Sequence, residues 1–105
     1  MAHTNVPASV CNVLVGTTSG TGASLSITTG FLARYVLVVN VAAGGLVKGE
    51  WFEGMAAASM VKTAAAGDIT VPTTLGITVA AGTVTIGADT DLNVNGETLY
   101  YKIIG

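Results

Sequence analysis

The stretch Arg34-Tyr-Val-Leu-Val-Val-Asn-Val41 decides the fold class of this chain. Its centre is apolar at every position, whereas a strand with one solvated face alternates apolar and polar residues. Such a run predicts a β-strand that is buried on both faces, or whose second face meets a partner. Asn40 and Gly44-Gly45 interrupt the apolar run before the roughly 18 residues needed to span a bilayer, so we expect no membrane partner.

Shorter segments on both sides of this stretch also have the pattern of β-strands. Several alternate β-branched apolar residues with Ser or Thr, the period of a half-buried strand. In chain order, the predicted strands are residues 6–15, 24–28, 34–41, 50–53, 69–71, 77–79, 84–86 and 99–104. Short strands about 8 to 12 residues apart predict an all-β fold, a small antiparallel β-sandwich or barrel.

The chain is short enough to form one domain, and its two ends differ in character. Residues 1–30 carry no Asp, Glu, Lys or Arg and are predicted to form an extended N-terminal arm and the first strands. Residues 31–105 are predicted to form the body of the sandwich. Within them, residues 55–66 are ambiguous: their six alanines favour a helix, but a strand plus loop fits equally well between Gly54 and Gly67. The glycine-rich stretch 16–22 is predicted to be a flexible loop.

The composition predicts self-association. Only 10% of the residues are charged and 50% are hydrophobic, whereas the usual charged share is about 25%. A monomer would therefore expose much apolar surface, and large apolar patches usually mark interfaces. A symmetric ring or trimer would cover them, and we expect a homo-oligomer with a trimer favoured.

Charge and leader patterns exclude other partners and compartments. The net charge is −2, and the four basic residues form no cluster, which argues against nucleic acid. The first residues lack the basic and apolar regions of a secretory signal. The single Cys11 allows no internal disulfide and is expected to be a small buried residue.

No arrangement of residues predicts catalysis. His3 is the only histidine and lies near the N-terminus, where chains are usually mobile. Glu50 and Glu53 lie three positions apart, so in a strand they point to opposite faces and cannot act as a carboxylate pair. We therefore expect a protein that is not an enzyme and has no cofactor.

The segment Asp91-Leu-Asn-Val-Asn-Gly96 allows two interpretations. Oxygen ligands at Asp91, Asn93 and Asn95 fit the opening of a calcium loop. The twelfth position of such a loop should be a bidentate Glu, but here it is Lys102, whose charge would repel the ion. The alternative is a polar turn ending in Asn-Gly, a favoured hairpin dipeptide, and we favour this turn over a metal site.

The few aromatic residues are expected to be core anchors. Tyr100 and Tyr101 are adjacent, so one of them should point outward from the sheet. An exposed ring of this kind could contact either a protein neighbour or a ligand.

The C-terminal third resembles the closing segment of small β-domains in bacteriophage virion proteins. The resemblance rests on Gly76-Ile-Thr-Val79, Val84-Thr-Ile-Gly-Ala-Asp89, the Asp/Asn turn to Gly96, and Leu99-Tyr-Tyr101. Residues 31–40 also resemble the pattern of those domains, in which aromatic and basic residues precede an apolar strand. The resemblance covers more than half of the chain, and it implies a structural component of a phage head or tail.

From this resemblance we expect a capsid decoration (cement) protein, made in the host cytoplasm and located in the virion, with the major capsid protein as its partner. Interface residues are predicted at Val6, Val10, Val13 and Tyr101. One alternative is a tail-fibre or adhesin domain that binds a host glycan, with Trp51 and Asn93 as candidate contacts. Another alternative is a tail-tube or baseplate subunit.

Overall fold

The computed structural model describes residues 12–42 and 46–105, which form two antiparallel β-sheets packed face to face. The predicted all-β class and sandwich are confirmed. The predictions for Val6, Val10 and Cys11 and for a turn at Gly44-Gly45 lie outside the described residues. Among the described residues, no helix has the length and apolarity to cross a membrane.

The larger sheet has six strands in the order β1-β9-β3-β4-β5-β6, and the smaller has three in the order β2-β8-β7. Every neighbouring pair is antiparallel. The strands are β1 (Val13–Ser19), β2 (Leu25–Thr28), β3 (Tyr35–Asn40), β4 (Val47–Phe52), β5 (Val61–Thr63), β6 (Ile69–Thr70), β7 (Ile77–Ala80), β8 (Thr83–Ile86) and β9 (Thr98–Ile104). The described part of residues 1–30 thus supplies one strand to each sheet.

The core lies between the facing sides of the two sheets. Strand period two sends alternate residues inward, so Val36 and Val38 of β3 are fully buried while their neighbours are only half-buried. Met60 and Leu92, which lie outside the strands, fill the remaining core space. The buried hydrophobic side chains are Ile27, Ala33, Val36, Val38, Val47, Trp51, Met60, Ile77, Val84, Ile86, Leu92, Leu99 and Ile103.

Strand β1 extends further than its sequence predicts. The loop prediction for residues 16–22 is wrong for Gly16 to Ser19, which pair with Tyr101 to Thr98 of β9. The residue at this strand position is a glycine because the Tyr101 ring lies over it. A Cβ at Gly16 would come within 2.6 Å of the Tyr101 hydroxyl oxygen. The strand therefore needs a glycine here for packing, and the glycine does not mark a turn.

The alanine-rich residues 55–66 form a strand plus loop. Helix propensity is overridden because Ala58 has a φ of 63°, a left-handed conformation that interrupts a right-handed helix. Ser59 forms an isolated bridge with Ile77 of the smaller sheet, and β5 follows at Val61. This segment thus connects the edge strand β7 of the smaller sheet with β5 of the larger sheet.

The loop between β8 and β9 is fastened by the buried side chain of Asn93. Its Nδ2 donates to the carbonyl oxygens of Ala23 (2.6 Å) and Gly87 (3.0 Å), and its Oδ1 accepts from the Thr21 N–H at 2.8 Å. These partners lie in the β1–β2 connection and at the end of β8. One amide therefore joins three segments from both sheets.

Asn40, at the end of β3, fastens the same loop from the larger sheet. Its Nδ2 donates to the carbonyl oxygen of Leu92 at 3.0 Å and to Glu97 Oε1 at 2.8 Å. Its Oδ1 accepts from the N–H of Ala42 at 2.8 Å. Because Asn40 is buried, it is satisfied only while the loop stays in place.

Replacing the Asn93 amide should unfold the protein more easily. We expect Asn93→Ala to lower the free energy of unfolding by about 3 kcal/mol, because three partly buried backbone groups lose their partner. Urea denaturation followed by tryptophan fluorescence measures this change. The matched control, Asn95→Ala at an exposed position of the same loop, should change it by less than about 0.5 kcal/mol. Equal effects of the two substitutions would contradict this role of Asn93.

Candidate interaction surface

The outer face of the six-stranded sheet, the side turned away from the smaller sheet, is the main candidate surface. Its composition follows from the strand register, which places residues of neighbouring strands side by side. One such row runs across five strands: Val15, Lys102, Leu37, Glu50 and Val61. Since directly opposed residues share a face, this row and its neighbours define what the sheet presents outward.

Apolar side chains dominate this outer face. Five of its residues are about half or more exposed: Val13 (50%), Val15 (69%), Phe52 (47%), Ile69 (68%) and Tyr100 (49%). Five others are half-buried: Tyr35, Leu37, Val39, Val61 and Ile104. This answers the question left open by the apolar run in β3: one side of the strand is buried in the core, and no residue of the described ranges covers the other side, which lies on the outer face.

The smaller sheet has the opposite character. Its inner side is apolar, but its outer side carries short polar residues, and the hydroxyl groups of Ser26 and Thr85 lie 3.3 Å apart. The outward residues of its three strands are Ser26, Thr28, Thr78, Ala80, Thr83 and Thr85. A solvated antiparallel sheet has this arrangement, so the outer face of the larger sheet is the exceptional one.

Tyr35, Phe52 and Glu50 form a polar and aromatic corner of the outer face. The Tyr35 hydroxyl donates to Glu50 Oε2 at 2.6 Å, and its ring packs against Phe52 with centroids 5.3 Å apart. Burial and the neighbouring carboxylate raise the pKa of Tyr35 to about 12. The contact holds the aromatic rings in fixed orientations on the exposed surface.

The structure places two of the predicted interface residues. Val13 lies on the outer face and is half-exposed. Tyr101 points to the inner side, where it packs against the core and over Gly16. The ring that points outward is that of the adjacent Tyr100. The sequence predicted that one of the two tyrosines points outward, but it did not show which one.

The proposed glycan contacts are not available at the surface. Trp51 is buried in the core, with its indole N–H directed at the Ala56 carbonyl oxygen, and Asn93 is committed to the backbone bonds described above. Neither can stack on or bind a sugar without disrupting the fold. The prediction that these two residues lie at the surface is wrong. Their burial depends on tertiary contacts, which the local sequence around a short strand or turn does not show.

Residues 89–91, the acidic turn, carry two carboxylates that pair with the ammonium group of a lysine side chain. Lys62, on the inner side of β5, places its Nζ 3.0 Å from Asp89 Oδ1 and 2.8 Å from Asp91 Oδ2. Asp89 Oδ1 also accepts from the N–H groups of Asp91 and Leu92. Among the described residues, no group of His, Cys, Asp or Glu has the geometry to hold a metal ion. Residues 90–92 and 95–96 form turns, as the polar-turn interpretation predicts, and the Lys62 ammonium group pairs with the Asp89 and Asp91 carboxylates.

The protonated form of Lys62 is stabilised by this arrangement. Burial lowers its pKa, but hydrogen bonds to Asp91 and Asp89 outweigh that effect and the net shift is upward. The stabilisation is complete below the ordinary lysine value of 10.5 and is lost as the pH rises through the higher value of the folded state. The cluster therefore holds the turn in place at neutral pH.

Glu50 and Glu53 are separated, but not by the two faces of one strand as the sequence predicted, because β4 ends at Phe52. Glu50 lies on the outer face beside Tyr35, whereas Glu53 follows β4 and pairs with Arg34 at 3.2 Å. The Arg34–Glu53 pair is exposed, so it contributes little to stability. The two carboxylates have different partners and no shared site.

Loss of the internal cation should destabilise the fold. We expect Lys62→Met to lower the free energy of unfolding by about 3 kcal/mol at neutral pH, because it leaves the buried Asp89 without its counter-charge. Chemical denaturation measures the change. Lys48→Met removes the same charge from an exposed position and should have almost no effect. If both variants lose the same stability, net charge rather than the cluster is responsible.

Titration of Tyr35 tests the outer-face corner. The absorbance of tyrosinate in the folded protein should include one group that ionises near pH 12 and that disappears in Tyr35→Phe. Glu50→Gln should lower the pKa of this group, because the carboxylate that raises it is gone. An unfolded tyrosine ionises near 10.0, so the stabilisation from this raised pKa is present below that pH and is lost on going to pH 12. An unchanged titration in Glu50→Gln would refute the assigned contact.

Comparisons with known proteins add no family to this description. No family model matches the chain, and no curated protein and no solved structure matches it.

Proposed function

We propose that this chain is a non-enzymatic structural protein of a bacteriophage virion, a capsid decoration protein that binds the capsid lattice as a homo-oligomer. The observation that carries the proposal is the apolar outer face of the six-stranded sheet, opposite a hydroxyl-covered smaller sheet. The resemblance of residues 31–40 and of the C-terminal third to small phage virion domains supplies the virion context. The major capsid protein is the proposed partner.

The shape of the outer face supports binding to an extended protein surface. Four long strands, β1, β9, β3 and β4, lie side by side at the usual spacing of about 4.8 Å. Within the described ranges, their outward side chains form one broad face of the sheet. Small-molecule sites are concave, whereas protein interfaces of ordinary size are broad and nearly flat, so the surface favours a protein partner over a small ligand.

The charges on the outer face support the same conclusion. Among the described residues of its strands, the outward charged side chains are Lys48, Glu50 and Lys102. Burial of a sparsely charged face costs little desolvation compared with burial of an ordinary surface. The two signs lie side by side on β4, so a partner needs no strong charge of its own.

The alternatives differ in what supports them. A glycan-binding tail domain loses support because Trp51 and Asn93 are buried. A tail-tube or baseplate subunit would use the same apolar face, and it would assemble into rings or tubes without a capsid. The neighbouring genes distinguish these two structural roles. A gene for a major capsid protein beside this one would support the decoration role, whereas tail genes would support the tail role.

Capsid binding can be tested with a charge placed on each sheet. Mature capsids lacking the protein, assembled from the neighbouring capsid gene, are incubated with the purified chain and pelleted. We expect the wild type to co-sediment and Tyr100→Glu, which charges the outer face, to bind at least about tenfold more weakly.

The matched control is Thr28→Glu, which places the same charge on the exposed side of the smaller sheet and should bind like the wild type. Circular dichroism confirms that both variants keep the β-fold. If the wild type does not pellet with capsids, the decoration role is wrong. If Tyr100→Glu binds as well as Thr28→Glu, the outer face is not the contact.

A further inference from the structure

The four edges of the two sheets are not equally protected. In the six-stranded sheet, β6 spans only two residues and is soon followed by Pro72, which cannot donate to a ladder. In the smaller sheet, β7 is covered by residues 58–59 through the Ala58 and Ser59 contacts with Ile77, and β2 has only four residues. The remaining edge is β1, with seven residues.

Strand β1 lacks the features that normally protect an edge. Edge strands are usually kept from pairing by a charge, a proline, a bulge or short length. The sequence of β1, Val13-Leu-Val-Gly-Thr-Thr-Ser19, has no charge and no proline, and its register with β9 is unbroken from end to end. No described residue pairs with the other side of β1. The outer edge of β1 can therefore form backbone hydrogen bonds with a further strand.

The hydrogen bonds that flank β1 show which of its backbone groups point to this outer edge. The Gly105 N–H donates to the Asn12 carbonyl oxygen at 2.9 Å, and the Gly20 N–H donates to the Glu97 carbonyl oxygen at 2.8 Å. In an antiparallel ladder the direction alternates from residue to residue, so the even-numbered residues of β1 face β9. The N–H and C=O groups that face outward belong to Val13, Val15, Thr17 and Ser19.

We propose that β1 pairs antiparallel with β1 of a second copy of this chain, about a two-fold axis at Gly16, so that the two larger sheets become one continuous sheet. In this register Val15 lies opposite Thr17 of the other copy, and Val13 lies opposite Ser19. Every outward backbone group then has a partner, with about eight hydrogen bonds in total because each such pair exchanges two. This pairing specifies how the homo-oligomer of the proposed function would form. It does not require that the protein binds a capsid.

Charge does not oppose this pairing. The nearest charged residue of the sheet is Lys102 on β9, one strand away from β1. In the paired sheet, the two Lys102 side chains are three strand spacings apart, about 14 Å. That distance exceeds the Debye length of about 8 Å at physiological ionic strength, so their repulsion is screened.

The pairing also gives Tyr101 a place at the interface. The tip of its ring lies over Gly16, close to the two-fold axis. Opposed Cα atoms without mutual hydrogen bonds lie about 4.5 Å apart in antiparallel sheets, so the Tyr101 hydroxyl groups of the two copies come close together on the inner side. On the outer side, the apolar faces of the two copies join into one larger surface.

The geometry also determines the symmetry. A strand paired with itself makes an isologous contact that closes with two copies. A ring of three would need a second long edge for β1 to meet, and β6 is too short to serve as one. The β1 edge therefore favours a dimer over the trimer that the composition favoured.

The solution mass and one proline substitution test this pairing. Sedimentation velocity of the full chain across the micromolar range should show a species of twice 10.4 kDa that dissociates on dilution. Such dissociation is expected because a contact along one strand of about 24 Å lies at the low end of interface sizes. Thr17→Pro removes an outward N–H without removing a bond to β9, and it should weaken dimerisation at least about tenfold.

The matched control is Thr17→Val, which keeps the N–H and should remain dimeric. Hydrogen exchange of the wild type gives a measurement that needs no variant. The Val15 and Thr17 amides should exchange more slowly at high than at low protein concentration, whereas the Gly16 and Thr18 amides, which face β9, should change little.

Several results would overturn the pairing: a wild-type monomer at all these concentrations, a trimer, or Val15 and Thr17 amides whose exchange does not depend on concentration. An unchanged mass of folded Thr17→Pro would do the same. Because none of these measurements involves a capsid, a dimer that fails to bind capsids refutes only the decoration role.

Discussion

The fold depends on a few buried and half-buried polar side chains that fasten the loop between β8 and β9. Asn93 and Asn40 fasten the loop between β8 and β9 to both sheets, and Lys62 pairs with two carboxylates of the same loop. Buried amides and charges are costly unless satisfied, and here one loop conformation satisfies them all. The apolar core contributes the driving force, but this network determines how the two sheets are joined at this end of the sandwich.

The local sequence predicted the strands because alternation is a local property. Thr85 between Val84 and Ile86 is enough to indicate a half-buried strand, and β8 lies where the pattern predicts it. Gly16 shows the limit of such reasoning. Its place within β1 depends on Tyr101, far away in the sequence, so a local pattern could only suggest a turn. The alanines of residues 55–66 were ambiguous for the same reason, since the bridge of Ser59 to Ile77 is a tertiary contact.

The candidate surface was only partly predictable. The uninterrupted apolar run of β3 predicted that its second side would be buried or would meet a partner, and the structure leaves that side uncovered within the described chain. The sequence could not show that β1, β9 and β4 extend the same surface, because this depends on strand order and register. The cation of the acidic turn was hidden in the same way: Lys62 lies on β5, 27 residues before Asp89.

If the outer face of the larger sheet is buried in an interface, the hydroxyl-covered side of the smaller sheet becomes the main surface that faces the solvent. Its three strands carry no ionisable side chain among Leu25–Thr28, Ile77–Ala80 and Thr83–Ile86. The strands of this side therefore contribute no charge that salt could screen or pH could change. In any assembly that buries the larger sheet, these strands would turn outward a hydrated surface that attracts charged macromolecules weakly at any ionic strength.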